Sequence, residues 1–493
     1  MIASPATPVP KAAASHSAAG VETHSIDYVP ERERTGRVIE QGPFWFLGNF
    51  HFFTLSIGFI GPSMGLSAGW SALAGALGIL FGTLFMAFHG SQGPELGLPQ
   101  MIQSRAQFGY RGVILVLLGT LVVFVGFNVV NATLLGAGLH NLFGWDTTTV
   151  VVISTVLAVV LAIYGHDVLH RAFKWSFVLS LPIYVVLTLF VLMGGVSTAT
   201  APTGVSQGFV LAAFATQFAA AASYNISYAP YVSDYSRYLP RNTPSGKLIA
   251  AIFGGASLSG IWMIGLGAWL ATRISGGGGD ALVTLHIAGS SLAPLFGTLT
   301  IAVSVIALVA VMGLNAYSGM LTVLTTVDSI RAIRPTRSVR IVTIIAVATI
   351  WLLITLTLDS QTMHLLHAFL NIMLCFLVPW TAVNLVDYFF VRRGSYAITH
   401  FFTPTGIYGA WGLRGIASYL IGFIAMVPFF AIPHVYDGPL TRQLGGVDVS
   451  WLVGLIVPGL VYYFLSRSID LAAEQPAVAQ SERELQALET PAH

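Results

Sequence analysis

Twelve apolar runs of about 20 residues follow one another along this chain, and that spacing restricts it to an all-α bundle crossing a membrane many times. The runs fall at 44–67, 71–89, 113–140, 148–165, 174–194, 207–230, 247–273, 294–325, 339–358, 362–391, 412–435 and 449–467. Charged residues are only 9% of the chain, against about 25% in a soluble globular protein. Lys and Arg give the count an independent check, because they gather in loops on the cytoplasmic side. With the N-terminus inside, all but Arg273 and Arg442 of the 22 basic residues fall in inner loops or tails. A missed span would scramble that alternation, so both termini are expected in the cytoplasm of a plasma (inner) membrane protein.

The ends read differently. Residues 1–42 are rich in Ala, Pro and Ser, and 468–493 are polar and net acidic, so both are expected as disordered or loosely attached cytoplasmic tails around a transporter domain at 43–467. No cleavable signal peptide is evident, and the first span is expected to act as the insertion signal. The lone Cys375 rules out a disulfide within the chain and cysteine metal sites. His364 and His367 have no acidic neighbour in sequence and read as packing rather than as metal ligands. With no catalytic cluster, no bound cofactor, no metal and no nucleic-acid partner expected, an enzyme is disfavoured.

Two spans are interrupted near their middles, at SIGFIGPSMG around Pro62 and at ASYNISYAPYV around Pro230. Gly and Pro break helices, and an unpaired backbone group in lipid costs several kcal/mol. Paired breaks therefore point to a transporter whose substrate sits at the bilayer midplane. Gly58, Phe59, Ile60, Gly61, Pro62 and Ser63 would expose carbonyls and amides at the first break. Ser223, Tyr224, Asn225, Ser227 and Tyr228 would supply hydroxyl, amide and ring at the second. Gly75, Gly78, Gly82, Gly254, Gly255, Gly260, Gly265 and Gly267 read as helix-contact residues.

Span centres are nearly free of Asp, Glu, Lys and Arg, which argues for a neutral, polar, aromatic substrate. In GFNVVN of the third span, Phe127 and Asn131 are four apart and share a helix face, with Asn128 about 100° away. Asn315 in the eighth span has a similar Gly-apolar-Asn setting. An asparagine amide matches the edge of a heterocyclic base, and a neighbouring ring can stack on its face.

The stretch SQGPELGLPQMIQSRAQFGYRG, Ser91–Gly112, resembles the hallmark loop of the purine-cytosine permeases in the nucleobase-cation-symport-1 family. ERERTGRVIEQGPFWF and SYNISYAPYVSDYSRYLP agree with it, so the resemblance covers residues 30–467. It implies a leucine-transporter-like fold, with spans 1–5 and 6–10 as inverted repeats (about 43–195 and 207–391), broken helices 1 and 6, and two peripheral helices at about 412–467. Carried over by residue, it implies ring stacking on Phe127 and the sixth-span aromatics, and edge recognition by Asn131, Asn315, Ser227 and the first break. Sodium-coupled relatives present hydroxyls or amides on the eighth span, whereas this chain has ALVAVMG at Ala307–Gly313, so a proton is the expected coupling cation. The expected activity is import of a neutral nucleobase or related heterocycle by alternating access. Allantoin, a vitamin-like heterocycle or a zwitterionic amino acid stay open as substrates, and a non-transporting sensor is the remote alternative.

Overall fold

A computed structural model describes residues 24–196, 208–274, 279–333, 335–358, 362–432 and 436–489, with 362–368 as backbone alone. The side chains of His364 and His367 and most of the N-terminal tail therefore lie outside what is described. The helices that build the bundle are α1 (Val38–Asn49), α2 (Phe52–Ile57), α3 (Ile60–Ser63), α4 (Ala68–Gly90), α5 (Ile114–Phe143), α6 (Thr147–Tyr164), α7 (His166–Leu192), α8 (Leu211–Ile226), α9 (Ala229–Ser236), α10 (Ser245–Ala271), α11 (Pro294–Ile330), α12 (Arg337–Thr357), α13 (Thr362–Val386), α14 (Leu413–Met426), α15 (Ser450–Ser466) and α16 (Leu471–Glu489). Among the described residues, 8 helices are long and apolar enough to cross a membrane, or up to 10 if each of two bent pairs is one span. The two remaining expected spans, at 207–230 and 412–435, correspond to shorter pieces: α8 with α9, and Leu413–Phe429. A short apolar helix that the periodicity did not flag, Ala281–Ser290, starts on Asp280, whose carboxylate accepts from Leu282 N at 2.9 Å and Val283 N at 3.2 Å.

Both expected interruptions exist, but the sharp bend of the first is displaced. The chain turns by 55° between α1 and α2, at Phe50 and His51, where the sequence has neither Gly nor Pro. Tertiary packing holds this bend rather than local propensity: the Phe50 ring lies 4.9 Å from Tyr184 and 5.1 Å from Trp262. The released Gly48 carbonyl is taken up by side chains, with Tyr228 Oη donating to it at 2.5 Å. The expected break at Gly58–Pro62 is only a loosened turn between α2 and α3, and its polar groups are met by one side chain. Gln217 Oε1 accepts from Gly61 N at 2.8 Å while its Nε2 donates to Ile57 O at 3.1 Å. The second break lies at Ser227 and Tyr228, with Pro230 in the first turn of α9, where a missing N–H is tolerated.

Glycines set how closely the helices approach. A Cβ at Gly78 would overlap the Phe218 carbonyl, one at Gly82 the Ala222 carbonyl, and one at Gly255 the Gly42 backbone. Gly254 and Gly265, expected as contacts, face open space instead. The backbone of α8 cannot yield without moving the second break, so Gly82→Leu is expected to destabilise by about 3 kcal/mol or more. Thermal unfolding of the detergent-solubilised protein checks this, and an unchanged midpoint would contradict the close α4–α8 contact.

At the end of the bundle that carries most of the basic residues, the loop Ser91–Gly112 folds into short helices and ties the halves together. Buried Arg105 donates to Asp328 Oδ2 at 2.9 Å, Ser329 Oγ at 2.8 Å and Phe401 O at 2.9 Å, and its guanidinium sits 4.3 Å over the Tyr110 ring. Gln107 Nε2 donates to Asp387 at 2.7 Å, and the same buried carboxylate accepts from Arg392, Tyr396 and Tyr462.

Residues 24–42 and the C-terminal segment, expected as loose tails, are structured here. Ile26 and Val29 are fully buried. Arg237 Nη1 donates to Ser25 O at 2.7 Å, Arg340 Nη1 to His24 O at 2.6 Å, and Val29 N to Gly97 O at 3.0 Å. On α16, Glu474 pairs with Arg392 and Glu482 with Arg241, while Glu489 accepts from Glu31 N. The polar composition that signalled disorder instead supplies partners for charges far away in sequence. Burial disfavours the charged form of His24, but Asp27 and Glu33, each 2.7 Å from its ring nitrogens, outweigh it and raise its pKa. A raised folded value means that this clasp contributes fully below the ordinary histidine pKa of about 6.5 and is lost as pH rises through the folded one. Hydrogen exchange of residues 24–37 is therefore expected to accelerate as pH rises above about 6.5, beyond the intrinsic base catalysis seen elsewhere. His24→Gln should remove the extra dependence.

Candidate substrate site

The two breaks meet α5 and α13 around a cluster of aromatic rings. Phe127, near the middle of α5, lies 5.7 Å from Phe53 of α2, 6.1 Å from Tyr224 of α8 and 5.1 Å from Phe369 of α13, all approaching edge to face. Tyr228, in the second break, lies nearly parallel to Phe127, at 19° with centroids 6.3 Å apart. Two carbon planes in contact stand about 3.5 Å apart. Their separation is within the range of ordinary offset aromatic pairs, so a flat ring would enter between Phe127 and Tyr228 only as the two part.

Polar groups border this box on two sides. Thr54 Oγ1 and Tyr224 Oη share a hydrogen bond of 2.8 Å, and Tyr224 Oη and Tyr228 Oη share one of 3.1 Å. His51 Nε2 lies 2.9 Å from Gly48 O, which makes it the protonated nitrogen, and 3.3 Å from Tyr224 Oη. On the other side, Asn315 Nδ2 donates to Asn128 Oδ1 at 2.8 Å, Tyr231 Oη donates to Asn315 Oδ1 at 2.9 Å, and Asn128 Nδ2 donates to Met312 O at 3.0 Å. This net joins α5, α9 and α11.

Asn131 stands apart from both sets. It is 1% exposed, on the face of α5 that carries Phe127, and neither Nδ2 nor Oδ1 has a hydrogen-bond partner. A buried amide left unsatisfied costs about 1–3 kcal/mol. Such a group is retained where something else completes its bonds.

Of the residues singled out in the sequence, Phe127 and Tyr224 come together here, Asn131 follows one turn along the same face of α5, and the Asn315 amide is committed to the helix-bridging net. Others are placed elsewhere. Gly58 packs against the Ile264 carbonyl of α10, Gly61 against Ser71 and Gln217, and Phe59 and Ile60 are buried in the core. Asn225 Oδ1 accepts from Asn49 Nδ2 at 2.9 Å and its Nδ2 donates to Thr83, so it joins α8 to α1 and α4. Ser227 donates to Tyr224 O within its own turn. Phe53, Thr54, Phe369 and Tyr231 went unrecognised. The one available signal was the four-residue spacing of Tyr224 and Tyr228, which repeats that of Phe127 and Asn131.

Residues 28–454 match a protein family described as permeases for cytosine/purines, uracil, thiamine and allantoin. The YxlA protein of Bacillus subtilis (strain 168) is 35% identical over 455 residues, 91% of this chain and 96% of the relative. The purine-cytosine permease fcyB of Emericella nidulans is 23% identical over 470 residues, 90% and 88% of the two chains. In fold, the chain resembles Mhp1, a nucleobase-cation-symport-1 family transporter solved in a closed conformation with bromovinylhydantoin bound. The TM-score is 0.71 at 18% identity, covering 93% of this chain and 99% of Mhp1. With a long family match and a full-length relative above 30% identity on top of this fold, the chain belongs to the cytosine/purine permease family of membrane transport proteins.

Proposed function

We propose that this protein imports a neutral nucleobase or related heterocycle of the cytosine/purine class by alternating access, driven by symport of a cation, and that the cation is a proton. The observation that carries the reading is the unpartnered, buried Asn131 amide one helical turn from Phe127, whose ring packs with Tyr224 and Tyr228 where two interrupted helices meet. A nucleobase offers a flat face to the rings and an edge of donors and acceptors to an amide. The box residues are uncharged, which disfavours a zwitterionic amino acid, whose carboxylate and ammonium need helix ends or charged partners.

The membrane arrangement in this reading is twelve spans with both termini in the cytoplasm, built as two inverted five-helix repeats and two peripheral helices. Helices α1–α3, α4, α8–α9 and α10 would rock against α5, α6, α11 and α12. Proton rather than sodium coupling is supported by the chemistry at the first break. The Gly48 carbonyl is already engaged by Tyr228 and His51, and Ala307–Gly313 of α11 offers no side-chain oxygen to an ion.

Uptake into proteoliposomes of labelled cytosine, adenine, hypoxanthine, uracil, allantoin and pyridoxine, with and without proton and sodium gradients, tests this reading. Saturable uptake of a nucleobase that rises with an inward proton gradient and ignores sodium is expected. Saturable uptake of none of the six, or uptake that depends on sodium, would contradict it.

A further inference from the structure

We propose that the coupling proton binds to His51, on Nδ1, in the bend between α1 and α2; this assignment rests on the transport reading above. Several titratable side chains are buried in this chain, and most are committed. Asp234 accepts from Gln100 N and Ser318 Oγ, Asp328 from Arg105, and Asp387 from Gln107, Arg392, Tyr396 and Tyr462, all toward the basic end of the bundle. His89, with both nitrogens unpartnered, sits at the end of α4 stacked on Trp380 at 4.7 Å, in the same region. His51 is the one placed at the box.

Three features make it a proton site. It is 1% exposed, and its Nδ1 has no hydrogen-bond partner. Because Nε2–H is spent on the Gly48 carbonyl, Nδ1 carries the free lone pair, so a proton added to the neutral ring goes there. The groups around it are shared with the ligand: Tyr224 from α8, 3.3 Å away, bonds to Thr54 of α2 and to Tyr228 of the second break, and Tyr224 and Tyr228 are the rings facing Phe127. Tyr224 is the titratable side chain bonded to His51, and Tyr228 is the one bonded in turn to Tyr224. Among the described residues no carboxylate, Lys or Arg is bonded to it.

An imidazolium buried without an acceptor for Nδ1–H is costly. None of the side chains around His51 supplies that acceptor, so protonation favours whichever state brings one. A nucleobase carbonyl or ring nitrogen held in the box, or a rearrangement of the bend that aims a carbonyl at Nδ1, meets the need. Proton and substrate then raise each other's affinity, as linkage requires. The step moves only a proton, from water on the entry side to Nδ1 and from Nδ1 to water on the other side when the bend re-forms.

The test compares wild type with H51Q, whose amide can still donate to the Gly48 carbonyl, and with H51N as a second variant, each scored at wild-type membrane abundance. In proteoliposomes, labelled-for-unlabelled nucleobase exchange is expected to persist in the variants at a weaker apparent substrate affinity, while accumulation driven by a proton gradient falls to a ratio of one. In weakly buffered detergent, wild type is expected to take up about one proton per substrate bound, and the variants none. Variants that still accumulate substrate on a proton gradient would overturn the assignment, as would wild type binding substrate without proton uptake. In that second case exchange by wild type would leave the transport reading standing. Wild type that neither binds nor exchanges any of the six heterocycles would overturn both.

Discussion

Asn131→Leu is expected to lower nucleobase uptake by about 10- to 100-fold while leaving the thermal stability of the substrate-free protein unchanged or higher. The two effects have opposite signs because the amide does nothing for the resting fold. Both of its polar atoms are buried and unpaired. Leucine branches at the same atom with the same number of heavy atoms and carries no desolvated polar group, so its introduction removes a cost of about 1–3 kcal/mol against its somewhat larger volume. The same substitution leaves the edge of a bound heterocycle without its partner, a loss of about 1.4–3 kcal/mol in affinity, which is the tenfold to hundredfold effect. Asn128 and Asn315 should behave in the reverse sense. Their amides are fully used between helices, so removal of either should lower the unfolding temperature as well as transport. Uptake and thermal unfolding measured on the same preparations separate the two classes, and a strongly destabilised Asn131→Leu would show that Asn131 bridges helices after all.

Arg105→Ala is expected to remove most of the protein from the membrane fraction. The guanidinium is 1% exposed and holds Asp328, Ser329 and Phe401 from the far side of the chain, and its loss strands the Asp328 carboxylate in a dry setting. Breaking one side of a buried pair costs about 3–5 kcal/mol, a large part of the stability of most domains. Arg105→Lys keeps the charge but cannot span the same acceptors, so an intermediate loss is expected. Replacing both partners, as in R105M with D328L, should recover a good part of the stability, because no charge is then left alone. Folded fraction by gel filtration and thermal unfolding check these three outcomes. Full-length, monodisperse Arg105→Ala with a wild-type midpoint would contradict the role given to the Ser91–Gly112 loop.

How far these features were legible depends on whether a local rule governed them. The Phe127 and Asn131 face followed from helix periodicity, and the second break from Pro230 beside small polar residues, since both are set within one turn of chain. The first bend was misplaced because its cause is distant. Phe50 is wedged against Tyr184 and Trp262, and the Gly48 carbonyl is capped by Tyr228, 180 residues away in sequence. Gly58 and Gly61 looked like breakers, yet they serve close packing, and Gln217 repairs the ladder between them. Composition also misread residues 24–42 and 471–489. Their charges resemble those of a solvated tail, but Arg34, Glu474 and Glu489 each meet a partner on a distant element. Asn225 and Ser227 were drawn into the site by their position at the break, and their own bonds turn them away from it.

A structure determined with a bound nucleobase tests the central proposal most directly. The ring is expected between Phe127 and Tyr228, with the Asn131 amide within hydrogen-bond distance of its edge and the Asn128–Asn315–Tyr231 net intact. A ligand bound elsewhere, with Asn131 still unpartnered and the two rings closed on each other, would contradict it.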